Sequence, residues 1–361
     1  MALNHALQKP EKIVAAALGE LEQELVLPNL VQREGIDNYR GAKDDTINVV
    51  VEGILPFHQY TFRSGETDNG TEAGAAGSTR QALTFDRYSE RKVPITFQGI
   101  LYSAVEMTDE QKDFDFGTWN DKILRKQVRA VGRGISRQVA DAVIAAPYEV
   151  TIGDAELEGV RKAVFEARRV LNRFNAPQEG RILVVGTDFE AALLGDEKIV
   201  FASNVGDSRA DTALGDATLG RLAGFTVVVS NDMPADEAFA MTSSGVVLAT
   251  AAPSLPQSVT GSTQSFEGYA LRWMQDYYAK YRVDRSILDA YAGTRYIKDN
   301  LVGWDAATGQ EKVSAAEHFV RGVKLHLTDE SVYPAPTDEV ATITGVSSAN
   351  AWPTRTAANG S

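Results

Sequence analysis

Hydrophobic residues in the N-terminal part of the chain follow first a helical and then a strand spacing. In residues 11–31, apolar side chains recur every three or four positions until Pro28 and Gly35 interrupt the pattern, which predicts a short amphipathic helical arm. Residues 46–52 are a β-branched run followed by Gly53, which predicts a strand. This part of the chain is therefore expected to be an arm that leads into a sheet.

The next segment has the pattern of a long β-hairpin. Residues 60–63 and 83–88 have strand-like sequences on either side of a glycine-rich stretch, residues 64–79, and strand-like alternation continues over residues 91–102. An isolated two-stranded ribbon is only marginally stable in water, and its open edges favour pairing with another chain. The hairpin is therefore expected to need a partner.

A long amphipathic helix is predicted over residues 117–146, because apolar residues recur there at intervals of three and four. The opposite face is basic, and it carries Lys122, Arg125, Lys126, Arg129, Arg133 and Arg137. This face is either a contact for a polyanion or a solvated, ion-paired surface. Gly132 and Gly134 each lower helix propensity by about 1 kcal/mol. They predict a bend or the close approach of another backbone.

The middle of the chain alternates between helix and strand patterns. A helix is predicted over residues 154–174 with Asp154 as its N-cap, and a strand at 181–186 and a helix at 188–194 follow. Further strands are predicted at 222–230, 238–242 and 245–249. This order is typical of a mixed α/β domain.

The last third is rich in aromatic residues and then in small and turn-forming ones. Residues 266–288 include Trp273 and Tyr281, and such an aromatic cluster either stacks a ligand or packs in a core or subunit interface. Residues 320–327 alternate like a strand. Pro, Thr, Ser, Ala and Gly dominate after residue 329, so this segment is expected to be a tail.

Composition and charge narrow the functional classes. The 361 residues suffice for two domains, or for one domain with long excursions, and 43% of them are hydrophobic, so a folded protein is expected. The formal net charge of −13 argues against a protein that coats double-stranded DNA. Cysteine is absent, which excludes disulfides and thiolate chemistry. The sequence has no apolar stretch long enough to span a membrane and no signal-peptide pattern, so we expect no membrane partner and a site of action inside a cell.

Catalytic and cofactor motifs are missing from the sequence. It contains no phosphate-binding loop, no dinucleotide-binding glycine motif, no esterase nucleophile motif and no His-Glu-x-x-His zinc pattern. Residues 115–117 match the magnesium-binding tripeptide of protein kinases, but the other kinase loops are absent. We therefore predict no catalytic, cofactor-binding or metal-binding residues and no cofactor, and the protein is not expected to be an enzyme.

Several stretches of the sequence, in a fixed order, carry a family resemblance. They are Pro28-Asn-Leu-Val-Gln-Arg33 with Asp44-Asp-Thr-Ile-Asn-Val49, Leu219-Gly-Arg-Leu-Ala-Gly-Phe-Thr-Val-Val228, and Phe266-Glu-Gly-Tyr-Ala-Leu-Arg272 with Arg282-Val-Asp-Arg285. Together with the order of arm, hairpin, long helix, α/β middle and aromatic segment, they resemble tailed-bacteriophage major capsid proteins of the HK97-like fold, in the actinobacteriophage and P22-like coat protein branch. The resemblance implies an α+β fold.

The resemblance also implies a division of the chain. It gives an N-arm at 1–48, an extended loop (E-loop) hairpin at 49–104, a peripheral domain at 105–150 and 262–328 with a spine helix at about 117–146, an axial α/β domain at 151–261 and a C-terminal tail at 329–361.

The function implied by the resemblance is self-assembly. Subunits would form the hexamers and pentamers of an icosahedral shell around double-stranded phage DNA, with the hairpin of one subunit lying over a neighbour. Candidate subunit-interface residues are Arg63, Glu66, Arg87, Arg91, Arg125, Arg129, Trp273 and Tyr277. No lysine lies between Gly53 and Arg91, which argues against the hairpin crosslink that some relatives form.

Expected partners and location follow from the same resemblance. Only about 48 residues precede the hairpin, so a separate scaffolding protein is expected, together with a portal protein, optionally a decoration protein, and packaged DNA bound non-specifically. The protein is expected in the virion capsid, after assembly in the host cytoplasm. Three alternatives stay open at this point: an encapsulin-like nanocompartment shell, an α/β enzyme without a recognisable motif, and a tail-tube or surface-layer protein that forms open arrays.

Overall fold

Two six-stranded sheets organise the described part of the protein. The computed structural model describes residues 14–18, 21, 25–34, 46–58, 85–86, 88, 90–97, 99–108, 123–154, 157, 159–195, 220–266, 268–305, 310–327 and 330–352.

The secondary-structure elements of these residues are numbered in chain order. The strands are β1 (Gln32–Glu34), β2 (Thr46–Val51), β3 (Arg91–Thr96), β4 (Ile100–Thr108), β5 (Thr151–Gly153), β6 (Arg181–Val185), β7 (Arg221–Leu222), β8 (Phe225–Val229), β9 (Glu237–Thr242), β10 (Val246–Ala251), β11 (Thr260–Phe266), β12 (Tyr269–Tyr278), β13 (Val283–Tyr296), β14 (Val302–Asp305), β15 (Gln310–Val313) and β16 (Gly322–His326). The helices are α1 (Arg125–Ile144), α2 (Val160–Arg173), α3 (Thr187–Leu194) and α4 (Glu339–Thr344), with 3-10 turns at Pro28–Leu30, Ser243–Gly245 and Ser348–Asn350. No helix in the described part of the chain has the length and apolar character needed to cross a membrane.

The first sheet, called here the long-strand sheet, is built around β13. The first half of β13 pairs with β4 and with β12, and its second half pairs with β10. Side chains alternate between the two faces of a strand, and Leu271, Trp273 and Leu288 lie on the face that packs with α1 in one hydrophobic cluster. Full burial of a large apolar side chain contributes about 1.5–3 kcal/mol, so this packing fixes α1 against the sheet.

Helix α1 confirms the predicted long helix from Arg125 to Ile144. Residues 117–122 lie outside the described part of the chain. Its two glycines are approached by leucine side chains and not by another backbone, so the predicted close approach of a backbone is wrong. A Cβ atom built on Gly132 would lie 3.2 Å from Leu21, and one built on Gly134 would lie 3.4 Å from Leu101.

The N-terminal arm packs against α1. Residues 14–18 are helical, and Val14, Leu18, Leu21 and Leu25 are buried in the same cluster as α1. The predicted amphipathic pattern is therefore confirmed for the described residues of the arm. Strand β1 then adds to the long-strand sheet by pairing in parallel with β10.

The second sheet, called here the α/β sheet, has the strand order β5-β16-β9-β6-β8-β7. Strand β6 is central and all five of its residues are buried, which accounts for its continuous apolar sequence. Helices α2 and α3 belong to the hydrophobic cluster on this sheet. The predicted alternation of strand and helix over residues 181–194 is confirmed.

Helix α2 begins at Val160, so the predicted start with Asp154 as the N-cap is wrong. Gly159 precedes the helix with φ of 124°, a backbone conformation that residues with a side chain rarely adopt. The backbone N–H of Asp154 instead donates a hydrogen bond of 3.3 Å to the carbonyl of His326. Asp154 therefore follows β5 and the helix starts after a turn.

The base of the predicted hairpin is an antiparallel pair of strands. β2 and β3 pair from Thr46 opposite Thr96 to Val51 opposite Arg91. The base is attached to the body, because Ile95 and Phe97 are buried in a cluster with residues of β10. The glycine-rich stretch at 64–79 lies outside the described residues.

Two strands belong to a different sheet from the rest of the domain in which the sequence prediction places them. β10 falls in the predicted axial domain but pairs with β13, and β16 falls in the predicted peripheral domain but pairs with β9 and β5. The chain passes from one sheet to the other within a few residues, because the turn Ser243–Gly245 joins β9 of the α/β sheet directly to β10 of the long-strand sheet.

The predicted tail is wrong for residues 330–352, which pack on the α/β sheet. Helix α4 is capped by Asp338, whose side chain accepts a hydrogen bond of 2.8 Å from the N–H of Val340. Val340, Ile343 and Val346 are buried in the cluster of this sheet. Burial of these few apolar side chains is enough to fold the segment, although its composition is rich in turn-forming residues.

Candidate subunit interface

The hairpin carries the most exposed apolar surface of the described residues. Large apolar side chains lie on both sides of the hairpin, and their exposed fractions are 50% for Val50, 47% for Ile54, 51% for Leu55, 56% for Phe57, 88% for Phe85 and 53% for Tyr88. Residues 85, 86 and 88 are not in a strand, contrary to the prediction for 83–88, but the two sides of the hairpin meet beyond the β2–β3 ladder, because His58 Nε2 lies 2.7 Å from Asp86 Oδ2. Contiguous apolar surface of this kind marks an interaction site.

Three predicted interface residues fall in or next to this hairpin but outside the described part of the chain. They are Arg63, Glu66 and Arg87. Their role stays a prediction.

Arg91 is paired within its own chain, and its place in a subunit interface stays a prediction. Its guanidinium forms a salt bridge with Glu317 and donates a hydrogen bond to the carbonyl of Lys298. These contacts hold the root of β3 on the segment that follows β13. The side chain therefore anchors the hairpin to the body of its own subunit.

The first strand of the hairpin also touches the β14–β15 hairpin. The rings of Phe57 and Trp304 are stacked, with centroids 6.1 Å apart and an interplanar angle of 17°. The backbone N–H of Phe57 donates a hydrogen bond of 2.7 Å to Oε2 of Glu311 on β15. The sequence gives no signal for this contact, because the residues are about 250 positions apart and belong to no motif.

The basic face of α1 is exposed, as the sequence predicts. Arg125, Lys126, Arg129 and Arg133 are exposed, and Arg137 lies 3.1 Å from Asp141 one helical turn away. A cleft along this face is lined by Lys126, Arg129, Gly132, Arg133 and Ser136. Arg125 and Arg129 therefore lie on an accessible surface, which is compatible with their predicted place in an interface.

Trp273 belongs to the core, which corrects its predicted role as an interface residue. Only 2% of the residue is exposed, and the indole Nε1 donates a hydrogen bond of 3.0 Å to Oγ of Ser286. Ser286 in turn donates to Oε1 of Gln127 on α1, and the Gln127 amide donates to the carbonyls of Ser103 and Ser286. Tyr277, four residues further along the same strand, is 48% exposed, so it remains available to a neighbour.

A buried carboxylate holds the C-terminal segment in place. Glu166 on α2 is fully buried and accepts hydrogen bonds from Arg169, from the Tyr333 hydroxyl at 3.0 Å and from the Trp352 indole. Burial, together with the nearby Glu166 carboxylate, raises the pKa of Tyr333 well above its ordinary value. This cluster could not be predicted from the sequence, because a single Glu on a helix carries no signal.

His318 adds a second link between the C-terminal segment and the body. Its Nδ1 lies 3.1 Å from Glu149 and its Nε2 lies 3.4 Å from Glu339 at the start of α4. The backbone N–H groups of Ala315 and Ala316 donate to Glu339 at 2.8 and 3.3 Å. These hydrogen bonds, with that of Ala315 contributing most, lower the pKa of Glu339.

The described residues include no group of three or more His, Asp or Glu side chains arranged to hold a metal ion. The features that stand out are contact surfaces: an exposed apolar hairpin, an exposed basic helix face and a firmly attached C-terminal segment.

Comparison with known proteins identifies the family. A profile of the phage capsid protein family matches residues 102–295, more than half of the chain. No curated protein sequence matches this chain. The structure is similar to that from Mycobacterium phage Che8, with a TM-score of 0.55 and 14% identity over 83% of this chain and 90% of that chain.

Two further solved structures have the same fold. The capsid of the cyanophage P-SCSP1u gives a TM-score of 0.55 with 13% identity over 85% of this chain and 89% of that one. The mature capsid of bacteriophage PhiM1 gives 0.51 with 13% identity over 84% and 87%. These similarities confirm the predicted α+β, HK97-like fold. The chain belongs to the phage capsid protein family, and it is a structural protein of a capsid shell.

Proposed function

We propose that this capsid protein assembles into hexamers and pentamers that close an icosahedral shell around the double-stranded DNA of a tailed bacteriophage. The main support for the proposal is the exposure of the apolar side chains of the hairpin, each of which is about half exposed or more. A single subunit leaves this surface in water, whereas a neighbouring copy would cover it.

The contacts proposed between subunits are heterologous. The proposed contact joins the hairpin of one copy to the body of the next, which are two different surfaces. Each copy can therefore use its own hairpin and its own body at the same time, and the contact can repeat from copy to copy. Contacts of this type close into rings when the rotation from one copy to the next divides a full turn, and many weak contacts in a closed shell reinforce one another. Arg125, Arg129 and Tyr277 are proposed for the receiving surface, and Arg63, Glu66 and Arg87 for the hairpin.

The proposed division into domains follows the sheets. The hairpin at 49–104 is the part proposed to reach neighbours, except for residues 100–104, which belong to β4 and pair with β13. The described residues of the N-arm pack on α1 of their own chain. A peripheral domain contains α1 and the long-strand sheet, and an axial domain contains the α/β sheet. The structure supports moving β10 to the peripheral domain, β16 to the axial domain and residues 330–352 from the tail to the axial domain.

Further partners belong to the proposal. They are a separate scaffolding protein, a portal protein, optionally a decoration protein, and packaged DNA. The chain has a net charge of −13, so contact with DNA is proposed to be non-specific and confined to local basic surfaces such as that of α1. Assembly is proposed to take place in the host cytoplasm, and no catalytic activity is proposed.

Negative-stain electron microscopy tests the proposal directly. The purified protein would be imaged alone and after co-expression with its neighbouring genes. Closed polyhedral particles are expected. A small oligomer of one size under every condition, without rings or shells, would refute the assembly function. Protein cargo in the particles, with no nucleic acid and no portal gene nearby, would instead support the nanocompartment alternative.

A further inference from the structure

A basic cavity lies within one subunit, where the root of the extended hairpin meets the body. Its volume is about 250 Å³, and its walls are the start of β3, the end of β13 and the segments that follow β13 and β15. Four cationic side chains line it, Arg91, Lys92, Arg295 and Lys298, together with a single carboxylate, that of Glu317. This concentration of positive charge occurs in a chain whose net charge is −13.

The charges around the cavity do not balance within the chain. Glu317 forms a salt bridge with Arg91 and so compensates one of the four cations. The guanidinium of Arg295 lies 5.2 Å from the centre of the Tyr296 ring, a contact that leaves its charge without a counter-ion. The cations that have no salt bridge with any described residue, called here the three unpaired cations, are Lys92, Arg295 and Lys298.

The cavity is also lined by a residue with an unused hydrogen-bond donor. The terminal nitrogens of Arg91 are engaged by Glu317 and by the carbonyl of Lys298. The Nε atom of Arg91, in contrast, is buried and has no hydrogen-bond partner in the described structure. Buried donors are nearly always paired in folded proteins, because an unmade hydrogen bond is unfavourable. An acceptor atom bound here would supply what the chain itself does not.

The walls of the cavity are fixed relative to each other. At one end, Arg91 joins β3 to the segments after β13 and β15. At the other end the backbones of β3 and β13 come close together, since a Cβ atom built on Gly293 would lie 3.1 Å from the carbonyl oxygen of Thr96. A site that is already arranged before binding loses less conformational entropy when a ligand binds.

Size and charge together indicate the kind of ligand. The volume of about 250 Å³ is below the range of about 300–1,000 Å³ that encloses drug-sized molecules, so the cavity suits a small ion better than a nucleotide. Arginine and lysine bind phosphate oxygens through charge-assisted hydrogen bonds. Several cations around one small space favour an anion with more than one negative charge over chloride, because the attraction grows with the charge of the ion.

We propose that this cavity is a binding site for a small multivalent oxyanion of the phosphate type, held by the three unpaired cations. Free phosphate and a phosphate group of a nucleic acid backbone both have this chemistry. The bound anion would compensate the positive charge that β3 and β13 bring together, and would thereby strengthen the attachment of the hairpin root to its own subunit. The inference goes beyond the proposed shell function, because the site lies within one chain and needs no contact between copies.

Equilibrium dialysis with radiolabelled inorganic phosphate tests the proposal on unassembled subunits, with the ionic strength held constant by sodium chloride. About one phosphate per chain is expected to bind with a dissociation constant of about 1 mM or lower. Lys298→Gln and Arg295→Gln are each expected to weaken binding about tenfold or more, because each removes a charged donor.

The matched control is Lys312→Gln. Lys312 is an exposed lysine on β15 that does not line the cavity, so its substitution is expected to change phosphate affinity by less than about twofold. Circular dichroism would check the fold of every variant. If Arg295→Gln does not fold, Lys92→Gln takes its place, because the Lys92 side chain is exposed and its loss opens no core.

Two results would overturn the proposal. One is the absence of phosphate binding up to about 10 mM, well above the expected dissociation constant. The other is an equal loss of affinity in Lys298→Gln and Lys312→Gln, which would show that phosphate is attracted by surface charge in general. Neither measurement depends on assembly, so failure of the chain to form shells would count against the shell function alone.

A short DNA duplex added at the same ionic strength distinguishes the two sources of phosphate. Displacement of the labelled phosphate by the duplex, together with weaker duplex binding in Lys298→Gln, would support the site and identify a nucleic acid backbone as its ligand. Retention of the labelled phosphate in the presence of the duplex would support the site and identify the free ion.

Discussion

The Tyr333 hydroxyl donates a hydrogen bond of 3.0 Å to Oε1 of Glu166, 167 positions earlier in the chain. The two residues join α2 to a segment whose composition is that of a tail. Arg169 and Trp352 complete the hydrogen bonding of the same carboxylate. This buried acid thus adds to the apolar contacts and to the His318–Glu339 link that attach the C-terminal segment.

Replacing Glu166 with alanine is expected to destabilise the unassembled subunit by about 3 kcal/mol. The substitution leaves Arg169 without its charged partner and leaves the Tyr333 hydroxyl and the Trp352 indole without their acceptor. Chemical denaturation of the subunit measures the change. Glu179 is exposed, and Glu179→Ala is expected to change stability by less than about 0.5 kcal/mol. Equal effects of the two substitutions would contradict the role given to Glu166.

Replacing Gln127 with alanine is expected to destabilise the subunit by about 2 kcal/mol. The buried side-chain amide accepts a hydrogen bond from the Ser286 hydroxyl and donates to the carbonyls of Ser103 and Ser286. After the substitution these groups lose their hydrogen-bond partner. Gln138 on the same helix is the control, because its buried Oε1 has no hydrogen-bond partner in the described structure. Gln138→Ala is expected to cost clearly less, and the prediction fails if thermal unfolding ranks the two the other way.

The contribution of Glu339 to stability is expected to depend on pH. Backbone hydrogen bonds lower its pKa in the folded state below the ordinary value of 4.5. A lowered folded pKa means that the contribution is present above pH 4.5 and is lost as the pH falls through the folded pKa. Unfolding midpoints of the unsubstituted chain and of Glu339→Gln should therefore differ at pH 7 and converge in acid.

Glu330 provides the matched control for this pH dependence. It precedes α4 in the chain and is exposed, so Glu330→Gln is expected to change stability by less than about 0.5 kcal/mol. A difference between Glu339→Gln and the unsubstituted chain that persists undiminished at pH 3 would show that the backbone hydrogen bonds do not act through the charge of Glu339.

Adding a methyl group at Gly303 is expected to displace α4. A Cβ atom at this position would lie 2.3 Å from the carbonyl oxygen of Ile343, and overpacking of this kind costs about 1–3 kcal/mol. A Cβ atom at Gly99 would meet nothing within 4 Å, so Gly99→Ala is expected to be tolerated. Denaturation of the two variants decides the matter, and equal stability would rule out a tight β14–α4 contact.

Removing residues 66–78 is expected to leave a folded, soluble subunit that fails to form stable closed shells. The deletion spares the β2–β3 ladder and the buried residues Ile95 and Phe97 that attach it, and loop tips tolerate deletion when no core contact is lost. Circular dichroism would check the fold, and electron microscopy the shells. Shells indistinguishable from those of the full chain would remove the proposed role of the hairpin tip.

The sequence by itself determined the elements whose spacing repeats locally. The apolar period of α1, the continuous apolar run of β6 and the order of arm, hairpin, helix and α/β segment were readable, because helix and strand periods follow from backbone geometry and the need to bury one face. That order was also enough to indicate the capsid fold.

Only the tertiary structure decided which faces meet. Trp273 and Tyr277 share one face of β12, yet the first is buried under α1 and the second is exposed, because a period of two fixes the face of a strand but not how far a helix covers it. The pairings Glu166–Tyr333 and Phe57–Trp304 join residues far apart in sequence. Such contacts depend on how the sheets and hairpins are placed in space, and no local pattern encodes that placement.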